Sequence, residues 1–176
     1  MAKKQGAIIS FDPNIRLPLW SSAEACQKTV REFLPYADLI KLSDEECFFV
    51  TGKHAILDAA DWLFDQGCKM LLYSMGKEGA MILTPHTTCH VENAEVRVKD
   101  TTGAGDAIIG SYLYCLAKNH ISAAQLATCK PEEIREWLTF AVYYANYSIT
   151  KSGAIASYPD YTTFMEWMQE KRKKIH

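Results

Sequence analysis

Asp100-Thr101-Thr102-Gly103-Ala104-Gly105-Asp106 stands between a segment rich in β-forming residues and a long apolar stretch that ends near Lys118. Gly103, Ala104 and Gly105 are small enough to let backbone N–H groups turn toward one point. The start of the following helix adds its partial positive charge. The string therefore reads as an anion-binding turn at a helix N-terminus. Asp106 places a carboxylate inside the first helical turn, beside that anion. An anion hole next to a carboxylate suits phosphoryl transfer to a hydroxyl: the hole holds the charge of the transferred group and the carboxylate takes the proton.

Outward from this string, the pattern alternates strands and helices. Ala7 to Phe11 is a short apolar run ended by Asp12-Pro13-Asn14, a buried strand feeding a turn. Ser21 and Glu24 have capping-box spacing and predict a helix to Phe33, stopped by Pro35. Leu39 to Leu42 is a second strand, Ser43 to Val50 a short helix closed by Thr51-Gly52, and Ile56 to Phe64 a helix stopped by Gly67. Met70 to Ser74 is a third strand, turned at Gly76-Lys77-Glu78-Gly79 into a return strand, Ala80 to Thr84. Thr87 to Val91 and Glu95 to Val98 alternate as half-exposed strands. Helices are expected over Gly103 to Lys118, from Pro131 to Lys151, and from Tyr161 to Lys173 with Asp160 as cap. Strand–helix order in the first half predicts an α/β fold with a mostly parallel sheet, helices on both faces and an antiparallel edge. No linker divides residues 1–176, which read as one domain.

Composition narrows the function classes. The 176 residues are 48% hydrophobic with a net charge of −2. The basic run Lys171-Arg172-Lys173-Lys174 reads as a solvated helix end, not a nucleic-acid patch. No apolar run approaches the roughly 20 residues that span a membrane, and Met1 to Gly6 lacks the apolar core of a signal peptide. Six cysteines without a C-x-x-C pair read as free thiols of a cytoplasmic protein. His86 and His90 flank Cys89, with no other ligands nearby for a metal site. Trp137, Phe140, Tyr143, Tyr144 and Tyr147 recur mostly at helical spacing and read as core. G-x-x-x-x-G-K-[ST] is absent, which excludes a P-loop enzyme.

Three further strings lie where strands end, the usual place for ligands in an open α/β sheet. Asp12-Pro13-Asn14-Ile15-Arg16 offers a fork-shaped cation for a phosphate, or an ordinary turn with an exposed arginine. Ser43-Asp44-Glu45-Glu46 is a helix N-cap with acids in the first turn. Ser74-Met75-Gly76-Lys77-Glu78-Gly79 by itself is a hairpin.

Taken together, these strings resemble the ribokinase-type (PfkB) carbohydrate kinases. Asp100 to Asp106, continued by Ala107-Ile108-Ile109-Gly110-Ser111, resembles their second signature. D-P-N-x-R resembles their fructokinase and 2-keto-3-deoxygluconate kinase branches. The resemblance runs from about Gly6 to the C-terminus and implies a ribokinase-like sheet whose N-terminal half and lid are absent. It implies Asp106 as general base, with Gly103, Ala104 and Gly105 as the anion hole. Arg16, Ser74, Gly76, Gly79, Thr102, Gly153 and Ala154 are implied to contact ATP. Glu46 is implied to support Mg2+, in a string where the family has Asn-x-x-Glu and this chain has Ser43 for Asn. Asp100 and Thr102 match positions that ligate K+. The family's adenine-side Asn aligns with Val142, and Asn146 lies one turn later.

The expected activity is ATP-dependent phosphorylation of a sugar primary hydroxyl, incomplete in this chain. The alternatives are a non-catalytic nucleotide-binding fragment and an interaction module. Lys3-Lys4-Gln5-Gly6 look like the last turn and stop of a severed helix. The chain is therefore expected to be the C-terminal part of a longer kinase, and either to self-associate or to need its missing half.

Overall fold

A computed structural model of the protein describes residues 2–173. Lys174, at the end of the basic tail, lies outside them, as does Met1. Five strands form one sheet in the order β1-β2-β3-β4-β5: Ser10–Phe11, Leu39–Ser43, Met70–Ser74, Ala80–Leu83 and Thr88–Val91. β1, β2 and β3 are parallel, and β4 and β5 return antiparallel. Six α-helices accompany them: α1 Ala23–Phe33, α2 Asp44–Thr51, α3 Ile56–Asp65, α4 Ala104–Lys118, α5 Pro131–Ser148 and α6 Tyr161–Lys173.

Side-chain alternation along the strands builds a core on each face. Leu39, Met70, Leu72, Ala80 and Ile82 point to the α4–α5–α6 side, where Tyr112, Leu138 and Phe164 are buried. Ile40, Leu42, Leu71 and Leu83 point to the α1–α2–α3 side, with Val30, Val50 and Leu63. Strands buried on both faces read as unbroken apolar runs, which is what β2 and β3 show. All six cysteines are free and buried.

Several boundaries differ from the expected ones. β1 is two residues long because its ladder starts late: the Ile9 carbonyl accepts the N–H groups of both Asp38 and Leu39, and the Ile9 N–H goes to the Asp38 carboxylate at 3.1 Å. The cap of α1 is Ser22, whose hydroxyl accepts the Ala25 N–H at 3.1 Å, and not Ser21. Glu95 to Val98 is not a strand. Its neighbour Ala94 gives its N–H to the Asn146 side chain, and Lys171 takes the Glu95 carbonyl, so this stretch crosses α5 and α6 without a ladder. α5 ends at Ser148, three residues early, where the Ile149 carbonyl accepts the N–H groups of Lys99 and Asp100. Asp160 caps α6 as expected, accepting the Thr163 N–H at 3.0 Å. Lys3 and Lys4 sit in a 3-10 turn, Ala2–Gln5, followed by Gly6 at φ 80°. No helix among the described residues is long and apolar enough to cross a membrane.

Candidate active site

The carboxyl ends of β1, β2 and β3 open into one cleft of about 480 Å3, closed on its far side by the N-terminus of α4. β1 delivers the turn Asp12-Pro13-Asn14. The Asp12 carboxylate accepts the Asn14 N–H at 3.2 Å, and Asn14 adopts the left-handed φ of 43° that Asn tolerates best. β2 delivers Lys41 and Ser43, the first turn of α2 delivers Glu46, and β3 delivers Ser74. Gly103, Gly105, Thr102 and Asp106 face them from α4 and its preceding turn, and Arg16 lies at the rim.

α4 starts without a side-chain cap. Gly103, at φ 78°, occupies the N-cap position, and its carbonyl accepts the first helical bond from the Ala107 N–H at 2.8 Å. The Ala104 N–H turns back to the Thr101 carbonyl at 3.1 Å. Among the described residues the N–H groups of Gly103, Gly105 and Asp106 have no acceptor, so these three are the donors available to an anion. Of the residues expected to form the hole, Gly103 and Gly105 keep free N–H groups among the described residues, the Ala104 N–H shapes the turn, and Asp106 adds an N–H and a carboxylate.

Lys41 was not singled out by the sequence. It is 6% exposed, in the middle of an apolar strand. Its ammonium lies 3.3 Å from Asp12 and 3.8 Å from Glu46. A side-chain carbon added at Gly105 would come 3.1 Å from that ammonium. The cation thus sits directly beneath the turn at Gly105, between two carboxylates. The one signal for it was a charged residue at a position that alternation assigns to the α4 face of a buried strand; such residues are almost never buried unless paired.

Glu46 joins three elements. One carboxylate oxygen accepts the Ile15 N–H at 2.8 Å, the other the Ser43 N–H at 2.9 Å, and the Ser43 hydroxyl accepts the Glu46 N–H in return. Burial works to raise the Glu46 pKa, but the Ser43 and Ile15 N–H groups and the Lys41 charge outweigh it and hold the carboxyl below its ordinary value. At Asp12 burial wins: it raises the pKa, Lys41 opposes it, and Glu46 adds to it. Each Glu46 oxygen keeps a second lone pair. That donor set suits a magnesium ion held through its water shell, the usual habit of this ion.

Other expected residues lie outside the cleft. Gly76 and Gly79 shape the β3–β4 connection, at φ 52° and 94°. Asp100 is folded inward: its two oxygens accept the Thr102 and Gly153 N–H groups, each at 2.9 Å. These bonds, Gly153 first and Thr102 next, depress its pKa to about 2. Each oxygen again retains a lone pair, which leaves the pair Asp100 and Thr102 compatible with a monovalent cation. Gly153 and Ala154 pack behind the anion turn, where a side-chain carbon on Gly103 would come 2.8 Å from that of Ala154. Asn146 is buried and holds the loop before Glu95, accepting the Ala94 N–H at 2.7 Å and donating to the Asn93 side-chain oxygen at 2.8 Å. Val142 is buried as core. A ring nitrogen of His90 bonds the Glu78 carbonyl at 2.8 Å.

A carboxylate and a helix start at the carboxyl edge of three parallel strands stand where an open α/β sheet takes its ligands. Residues 1–161 match the family model described as pfkB family carbohydrate kinase, and the chain belongs to that family. It is 37% identical over 160 residues to fructokinase-2 of Solanum habrochaites, an overlap of 90% of this chain and 47% of that one. The fructokinase of Xylella fastidiosa solved with bound ATP superposes with a TM-score of 0.87 at 29% identity, covering 97% of this chain and 54% of that one. The Vibrio cholerae fructokinase solved with fructose, ADP and potassium superposes at 0.81 and 29% identity, with 95% and 52% covered. The chain spans about half the length of the fructokinases it matches here.

Proposed function

We propose that the chain is the nucleotide-binding and catalytic portion of a fructokinase-like sugar kinase, in which ATP phosphorylates a primary hydroxyl of a small sugar. The observation that carries this reading is the placement of the Asp106 carboxylate beside two free helix N–H groups, across a cleft from Lys41 and Glu46. In the reaction, the sugar hydroxyl oxygen attacks the γ-phosphorus and the bond to the β–γ bridging oxygen breaks. The hydroxyl proton passes to the Asp106 carboxylate, and ADP leaves. The Gly105 and Asp106 N–H groups and the Lys41 ammonium stabilise the charge on the transferred group. Arg16, at the rim, grips a phosphate, and Ser74, Thr102 and the Gly153–Ala154 turn border the nucleotide. Gly76 and Gly79 shape the hairpin that carries Ser74. Glu46 would hold the water shell of Mg2+, and Asp100 with Thr102 would hold K+. Magnesium, when bound, neutralises the β- and γ-phosphate oxygens. Six buried free thiols favour a cytoplasmic setting.

The half-length coverage favours a second reading, a nucleotide-binding fragment without turnover. Calorimetry with Mg-AMP-PNP and a coupled ADP-release assay with fructose separate the two. We expect nucleotide binding with turnover far below the ~10 s⁻¹ of an ordinary enzyme, since positioning and water exclusion supply most of this chemistry. Absence of nucleotide binding would overturn both readings. Fructose-dependent turnover near ~10 s⁻¹ would show the chain to be catalytically sufficient.

A further inference from the structure

Gly103 is the joint on which the anion-binding turn hangs, and glycine is the residue least able to hold its own peptide plane. α1 and α2 are capped by the hydroxyls of Ser22 and Ser43, but α4 has no such cap. The missing restraint comes from 55 residues away. The Tyr158 hydroxyl donates to the Gly103 carbonyl at 2.9 Å, beside the 2.8 Å bond from the Ala107 N–H. Both lone pairs of that oxygen are thereby engaged. Rotating the Gly103–Ala104 peptide would break both bonds and turn the Gly105 and Asp106 N–H groups away from the cleft.

Tyr158 is itself held. Its N–H donates to the Ile155 carbonyl at 3.2 Å, and its ring lies 6.1 Å from that of Tyr144, whose hydroxyl donates to the Pro159 carbonyl at 3.0 Å. The same segment is tied a second time to the anion turn through the Gly153 N–H and Asp100. Burial, and next the Asp106 carboxylate, raise the Tyr158 pKa and keep the hydroxyl a donor. A side-chain carbon on Gly103 would come 2.8 Å from the Tyr158 oxygen, so the tie also requires glycine there.

We propose that Tyr158 is a positioning residue for phosphoryl binding: it fixes the Gly103 carbonyl and so aims the Gly105 and Asp106 N–H groups at the transferred phosphate. This rests on the kinase reading above. The test is Tyr158→Phe in the full chain, which removes one oxygen and keeps the ring. In glycine-labelled 1H–15N spectra the Gly103 and Gly105 amides should shift while Gly52, Gly76 and Gly79 stay in place. Calorimetry should show Mg-AMP-PNP binding weakened by about 3- to 10-fold, the value of one hydrogen bond, with adenosine binding unchanged. Unmoved Gly103 and Gly105 amides would overturn the proposal. So would equal losses for adenosine and the triphosphate, or a variant that fails to fold, because the hydroxyl would then support the fold at large and not the turn. If the unmutated chain binds no nucleotide, the kinase reading fails on its own, and the amide shifts still decide whether Tyr158 holds the turn.

Discussion

In the proposed reaction Asp106 has two jobs that different atoms of one residue can share. Its N–H points out of the first turn of α4, where the helix leaves it without an acceptor, and its carboxylate borders the same cleft. Asp106→Asn keeps the N–H and the shape and removes only the proposed proton acceptor. In a chimera joining the N-terminal half of a fructokinase relative to this chain, we expect the substitution to cut kcat by roughly 10²–10⁴ with ATP affinity little changed. Steady-state kinetics decide it, and a variant keeping most of its kcat would remove Asp106 from the role of base. Lys41 shows why a residue can be central and still hard to read. Its neighbours Leu39, Ile40 and Leu42 set the pattern of a buried strand, and a pattern of apolar residues carries no information about an exception to it. The exception has a cause only in three dimensions, where Asp12, Glu46 and the turn at Gly105 converge on it from separate elements. A buried cation between two carboxylates holds together through those partners, and losing it would leave two carboxylates facing each other.

The elements that were legible are those whose signals are local. Ser43 with Glu46, Gly52, Gly67, Pro131 and Asp160 each mark a helix end by a mechanism confined to one turn, and each stands where the sequence places it. The second signature was legible for the same reason, being seven consecutive residues. Glu95 to Val98 failed because alternation records which side chains face solvent but not whether a neighbouring strand is there to pair; the backbone bonds instead to Asn146 and Lys171. The β3–β4 hairpin offers a sharp test at this scale. A methyl on Gly79 would come 2.1 Å from the Val91 carbonyl oxygen, a backbone atom that cannot move aside, whereas nothing lies within 4 Å of the same position on Gly76. Gly76→Ala therefore meets only the cost of its positive φ, about 1–2 kcal/mol. Gly79→Ala must in addition push β4 from β5 and should cost more than about 2 kcal/mol. Urea denaturation measures both. Equal losses would mean that the hairpin is looser than its geometry.

At the scale of the whole molecule the sheet is lopsided. Its antiparallel side closes on β5, while its parallel side stops at β1, a strand of two residues with no neighbour beyond it among the described residues. Parallel sheets are normally covered on both faces and continued by further βα units. Here the Phe11 ring is tilted against Phe33 at 6.4 Å, and Phe33 against Tyr36 at 6.4 Å, with Phe33 55% and Tyr36 65% exposed. The turn after β1 adds Leu19 at 84% and Trp20 at 38%. An open strand edge pairs with other chains, and contiguous apolar patches beyond a few hundred Å2 are uncommon on monomers. We therefore expect the isolated chain to associate with a second copy through this side, burying the edge that the remaining half of a full-length relative would otherwise meet. Light scattering coupled to size exclusion should give a mass above 19.9 kDa that falls on dilution. Phe33→Lys with Leu19→Glu should return it to a monomer, because charges on an edge oppose pairing. A 19.9 kDa monomer at high concentration, with no dye bound to apolar surface, would mean that the β1 side needs no partner.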